Sequence, residues 1–172
     1  MRTNQSTRVG KRNLLIQLSG IPLALLLCGS LYAQPANDDC ATANVVTPSA
    51  PTPPYSDSVD ASGATLDPAD PLLACNGAGD NDGNQTVWWV YTPDASGEVD
   101  ISTVGSTTAG DAELDTAHGV FTGSCGELVP VACVDQGLTD HLNIEVEAGT
   151  TYYIKVGQFL GANDAGTIVL NV

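Results

Sequence analysis

From residue 34 onward the sequence shows almost no helical periodicity. Its apolar residues fall in short runs broken by Gly, Pro, Ser, Thr, Asn and Asp. A chain of this kind buries apolar side chains by pairing short strands, because no segment offers a sustained apolar stripe at helical spacing. The strongest run is Thr86-Val87-Trp88-Trp89-Val90-Tyr91, dense in residues that fit a pleated, half-buried surface. Further strands are expected at Val45-Val46, within 55–64, and over 98–104, 117–122, 128–133, 141–146, 150–156 and 167–172. In 98–104, Val99, Ile101 and Thr103 alternate with Asp100 and Ser102, and in 150–156 Tyr152, Ile154 and Val156 share one face. The terminal run is apolar almost to its last residue and is expected to pair centrally. Eight or nine short strands without intervening helices imply an all-β, antiparallel two-sheet sandwich.

The first 33 residues read differently. Arg2, Arg8, Lys11 and Arg12 precede an apolar stretch over 14–31, closed by Leu31-Tyr32-Ala33. That is the layout of a secretory signal, with cleavage expected after Ala33. Gln17, Ser19, Gly20 and Pro22 interrupt the apolar stretch, which argues against a retained membrane span of about 20 residues. Residues 34–172 then form a single domain of ordinary size. They hold one basic residue, Lys155, and all twenty Asp and Glu, hence a formal charge of −19 against −15 for the whole chain. Such a charge repels nucleic acid and anionic membranes and concentrates cations.

Four cysteines remain after the signal: Cys40, Cys75, Cys125 and Cys133. An even count in an exported chain reads as two disulfides, and no CxxC spacing or neighbouring His supports zinc. Sequential pairing, Cys40 with Cys75 and Cys125 with Cys133, is the favoured of the three connectivities. Between the strands, 47–54 holds four prolines and is expected to be extended and stiff. Residues 71–85 form a Gly-, Asn- and Asp-rich loop. Within it, Asp80-Asn81-Asp82-Gly83-Asn84 resembles the start of an EF-hand loop but has Tyr91 where the closing Glu belongs, so it reads as a polar turn. Asn84-Gln85-Thr86 is a glycosylation sequon.

Several motifs, in order, resemble those of one family. These are Asn37-Asp38-Asp39-Cys40-Ala41-Thr42-Ala43, then Val87-Trp88-Trp89-Val90-Tyr91-Thr92, then Asp115-Thr116 leading to Val120-Phe121-Thr122-Gly123-Ser124-Cys125. Val131-Ala132-Cys133-Val134-Asp135 and the stretch from Ala148-Gly149 to Val156-Gly157 complete the set. Together they resemble the bacterial pre-peptidase C-terminal domain, a jelly-roll sandwich related in shape to CUB domains. The resemblance implies a non-catalytic module that binds substrates or surfaces, with calcium bound in some relatives.

The acidic residues collect in turns. Asp111, Glu113 and Asp115 lie just before one expected strand, and Asp135 just after the next. If those two strands form a hairpin turning near Cys125, Asp115 and Asp135 meet at its open end. Two such carboxylates with Asp111 or Glu113 and backbone carbonyls match the roughly six to eight oxygen ligands of Ca²⁺. The same register carries a difficulty for sequential disulfides. Eight residues of straight strand span about 26 Å, so either the segment folds back at Gly126 and Pro130 or the disulfides cross.

The tandem Trp88-Trp89 must point to opposite faces of its strand. An outward indole would offer a stacking platform for a sugar, whereas burial of both by packing or a covering loop is the plainer expectation. His118 and His141 are the only histidines, and no serine sits in a nucleophile-elbow context. The expected function is that of a secreted, non-enzymatic sandwich with Ca²⁺ as cofactor, binding an extracellular polysaccharide or protein. The alternative is a structural subunit that self-associates into a fibre or matrix.

Overall fold

The computed structural model describes residues 33–47, 54–76, 85–138, 140–159 and 165–172. The expected export signal up to residue 32, most of the proline-rich segment and the expected 80–84 turn lie outside the described residues. Among the described residues there are ten strands and one short 3-10 turn, Cys40–Thr42. The strands are β1 (Asn44–Val46), β2 (Ser56–Asp60), β3 (Thr86–Tyr91), β4 (Gly97–Ser102) and β5 (Thr107–Thr108). They continue with β6 (Thr116–Ser124), β7 (Glu127–Val134), β8 (His141–Val146), β9 (Tyr152–Gln158) and β10 (Ala165–Asn171).

One sheet has the order β1-β3-β9-β6-β7; the other runs β2-β10-β4-β8, with β5 added alongside β10. The terminal strand β10 is central, flanked by β2 and β4. Two details depart from the sequence expectation. There are ten strands rather than eight or nine, because the two-residue β5 is too short to leave a periodic signal. Pairing is not wholly antiparallel: β1 runs parallel to β3.

The sheets close on an apolar core. Trp89, Tyr91, Ile101, Val120, Ile144, Val146, Tyr152, Ile154, Val156, Ile168 and Leu170 come from both sheets and are all buried in it. The alternation read from the sequence explains this, since Tyr152, Ile154 and Val156 are every second residue of β9.

The first sheet also carries a second apolar layer on its outer face, formed by Trp88, Ala117 and Phe121 under Cys40 and Leu73. A cover made of residues 37–43 and 67–76 lies on this face. Gly119 makes room for it: a side chain there would place its Cβ 2.8 Å from Leu73 Cδ2.

The disulfides fasten this cover, and they overturn the sequential pairing. Cys40 bonds Cys125 and Cys75 bonds Cys133, with Cα separations of 5.8 and 5.6 Å. The reason is the hairpin. β6 and β7 pair from Ser124↔Glu127 at the turn to His118↔Val134 at the foot, and Gly126 supplies the φ of 92° that the tight turn needs. Only a bulge interrupts the register, between Val120 and Phe121 opposite Pro130 and Ala132. The segment does not fold back, so Cys125 at the tip is far beyond the reach of Cys133, given a Cα limit of about 7 Å. Each cysteine of the hairpin instead ties down one part of the cover. Loops of this length are worth about 4–5 kcal/mol each by chain entropy.

Candidate functional site

Trp88 and Trp89 point to opposite faces as expected, but both are fully buried, so neither offers a face to a ligand. Trp89 enters the central core and donates Nε1–H to Asp57 at 2.9 Å. Asp57 also accepts from Asn44 Nδ2 and from the Ser58 backbone N–H, each at 2.9 Å. This one carboxylate therefore joins β2 of one sheet to β1 and β3 of the other. The neighbouring Tyr55 phenol is pushed up to about 12, by burial first and then by the Asp57 charge.

Trp88 lies beneath the cover. Its Nε1–H donates to Asp70 Oδ2 at 3.3 Å, and its ring meets Phe121 at 6.0 Å between centroids. Lys155 sits on the same face, directly opposite Trp88 in the ladder and 0% exposed. Its ammonium donates to the Pro71 carbonyl at 3.0 Å, lies 3.9 Å from Asp70 Oδ2 and is 5.7 Å from the Trp88 ring centroid. Burial raises the Asp70 pKa, while the Lys155 charge and the Trp88 N–H pull the other way. The only basic residue of 34–172 is thus an internal pin for the cover and contributes nothing to the outer surface.

At the open end of the β6–β7 hairpin the carboxylates meet differently. Asp115 and Asp135 lie at the same end of the hairpin, and Asp140, 0% exposed and at the foot of β8, is near enough for its charge to be felt by both. Asp140 accepts from the Gln136 N–H at 2.6 Å and from the Thr116 hydroxyl at 3.1 Å, and Thr116 in turn meets Thr103 at 2.6 Å. All three carboxyls have raised pKa values, in each case chiefly through burial. Asp140 adds to the shift of Asp115, and Asp115 and Asp140 add to that of Asp135. Asp115 Oδ1 is buried without a hydrogen-bond partner.

Asp111 and Glu113 do not belong to this group. Asp111 occupies a tight turn with φ 61°, donating its N–H to the Thr108 carbonyl, and Glu113 bridges Thr107 beside the second sheet. Leu114 then anchors in the core, and Asp115 leads into the first sheet. The turn carries the two earlier acids towards the other layer, away from their sequence neighbour. Among the described residues, no three His, Cys, Asp or Glu side chains lie close enough together to hold a metal ion. The acidic end is therefore a pair of half-buried carboxylates, Asp115 and Asp135, backed by a buried and already hydrogen-bonded Asp140. Its donors are hard oxygens, the type that Ca²⁺ takes.

Sequence reasoning missed Asp140. Its signal was its place immediately before β8, where antiparallel pairing of β8 with β4 returns the chain to this end.

The two histidines are far apart in character. His118 is buried in β6, its pKa lowered to about 4 by burial, with the Ile101 carbonyl partly opposing the shift. His141 is half-exposed and pairs with Asp100 at 3.1 Å. The described residues also line two surface depressions. One of about 380 Å³ lies between residues 33–37 and Asn44, Ser58 and Asp60; one of about 170 Å³ lies beside Asp70, Pro71 and Glu127 at the rim of the cover.

No family model matches the sequence, and no curated protein matches it. Among solved structures, the chain is similar to the crystal structure of the pre-peptidase C-terminal domain of collagenase from Bacillus anthracis. The identity is 15% and the TM-score 0.44, over 74% of this chain and 91% of that one.

Proposed function

We propose that residues 34–172 form a secreted, non-catalytic β-sandwich module whose anionic exterior is balanced by divalent cations, Ca²⁺ first among them. Residues 1–33 serve as its export signal, and the module binds an extracellular polysaccharide or protein. The observation that carries this reading is the position of Lys155. The single fixed cation of the domain is sealed under the cover, so the outer charge is met only by ions from solution or by a partner. Two disulfides suit an oxidising exterior, where calcium is abundant. Asp115 and Asp135 are the side chains proposed to hold the cation, because their charged forms are disfavoured by burial and by neighbouring carboxylates. With both indoles buried, contact with a ligand falls to polar groups and to cations bridging carboxylates.

Isothermal titration with Ca²⁺ tests the cation, and retention on a glycan array in Ca²⁺ tests the ligand class. Heat of binding lost in Asp115→Asn supports the site; no heat in the unaltered protein sinks it.

A second reading is a self-associating structural subunit. It is favoured by one observation: the long outer edge of β7, which is apolar and solvent-exposed.

A further inference from the structure

We infer that Gln34 is a modification site: once the export signal is cut after Ala33, its side chain closes on the new α-amine to form an N-terminal pyroglutamate. The inference rests on the export-signal reading above and names what becomes of the terminus that cleavage creates.

Ala33 and Gln34 are both exposed, and the fold takes firm hold of the chain only at Asn37 and Asp38, which are 1% and 5% exposed. Asn37 Nδ2 donates to the Trp88 carbonyl at 2.9 Å, and the Asn37 carbonyl accepts from the Trp88 N–H at 2.8 Å. The bond between Ala33 and Gln34 therefore stands clear of the sandwich, where a signal peptidase can reach it.

The Gln34 side chain is held by its amide. Nε2 donates to Asp38 Oδ2 and, at 3.2 Å, to the Thr65 hydroxyl. In the closure the uncharged α-nitrogen attacks Cδ of the same residue and the Cδ–Nε2 bond breaks, giving a lactam ring and ammonia. One proton passes from the attacking nitrogen to the departing one, so no other reactant is consumed. Asp38, hydrogen-bonded to the departing nitrogen, is placed to carry that proton. The reaction strands no buried group, because Asp38 keeps the Thr65 N–H at 2.6 Å and the Thr65 hydroxyl at 2.7 Å.

The consequence is electrostatic. Cleavage alone places an ammonium on a domain whose one basic residue, Lys155, is buried. Closure removes that ammonium, and the exterior charge is then met only by ions from solution or by a partner. It also leaves no free amine for an aminopeptidase.

Mass spectrometry of the full chain, expressed with its own signal and recovered after export from a bacterial host, tests this. The expected product starts at residue 34, is lighter by one ammonia than the uncyclised chain, and resists Edman degradation. Gln34→Glu, whose carboxyl closes far more slowly, should keep a free amine and so report the cleavage position by itself. In samples taken at intervals after export, Asp38→Asn should convert at least about tenfold more slowly, with melting curves establishing that it folds. Equal rates would overturn the role of Asp38 and leave the site standing. A chain that starts at Gln34 with its amine free would overturn the inference while the export reading survives. A chain that starts elsewhere in both the unaltered protein and Gln34→Glu would overturn the inference together with the expected cleavage position.

Discussion

The molecule buries carboxyl groups in two places, beneath the cover and at the open end of the β6–β7 hairpin, and supports them by different means. Asp70 has an ammonium 3.9 Å away and an indole N–H at 3.3 Å. Asp140 has only uncharged donors, the Gln136 N–H and the Thr116 hydroxyl, and two further carboxyls add to its surroundings. Both groups have raised pKa values, so in both places burial outweighs what opposes it. With a single cation in the domain, the fold uses it where a loop must be held against a sheet. The hairpin end is left to hydrogen bonds, to protonation and to ions from solution.

Breaking the cover should give the largest effects. Replacing Cys75 and Cys133 together by Ala frees a loop spanning 58 residues of sequence separation and should cost about 4 kcal/mol, measured by urea unfolding. Lys155→Met leaves Asp70 buried without its counter-charge and should cost about 3 kcal/mol. Adding Asp70→Asn should recover much of that loss, since the uncompensated charge goes with it. A Lys155→Met protein as stable as the original would show that the pair does not hold the cover.

Acid should separate His118 from the carboxylates. His118 titrates near 6.5 when unfolded but at about 4 in the fold, so the unfolded state binds the extra proton between those values. Stability should therefore fall as the pH drops from 6.5 towards 4, by up to about 3 kcal/mol from this residue. The raised carboxyls of the hairpin end act in the opposite sense. Their protonation is easier in the fold, so the penalty they impose at neutral pH is relieved as the pH falls through their folded pKa values. A His118→Leu variant should lose most of the acid decline between pH 6.5 and 4. A decline unchanged in that variant would place its cause elsewhere.

The smallest effect sharpens the comparison most. In chelator, Asp115→Asn should raise stability by roughly 1 kcal/mol or less, because it removes one charge from a group in which like charges meet. In Ca²⁺ the sign should reverse, since the variant lacks a ligand that the original uses. Paired melting curves read both signs.

The sequence was most legible where side chains alternate. The strands β3 and β8 have the bounds expected of them, 86–91 and 141–146, the alternation of Tyr152, Ile154 and Val156 does mark their buried face, and one hairpin register puts Asp115 and Asp135 at the same end. What escaped depends on how distant segments cross. Sequential disulfides fail because a straight hairpin holds Cys125 and Cys133 apart, and each bonds a cysteine of the cover instead. Closeness in sequence likewise groups Asp111 and Glu113 with Asp115, but Asp111 sits in a positive-φ turn and Glu113 bridges Thr107 beside the second sheet. The isolation of Lys155 in composition was plain, but its burial was not. That follows from Gly119 opposite it, which lets the cover reach the sheet.

The central claim is that solution cations balance an exterior from which the only fixed cation has been withdrawn. Differential scanning calorimetry in Ca²⁺, against NaCl of equal ionic strength with chelator, tests it most directly. The account predicts a melting temperature several degrees higher in Ca²⁺, roughly 2–4 °C per kcal/mol at this size, with the increment reduced in Asp115→Asn. Equal melting temperatures in the two solutions would contradict it.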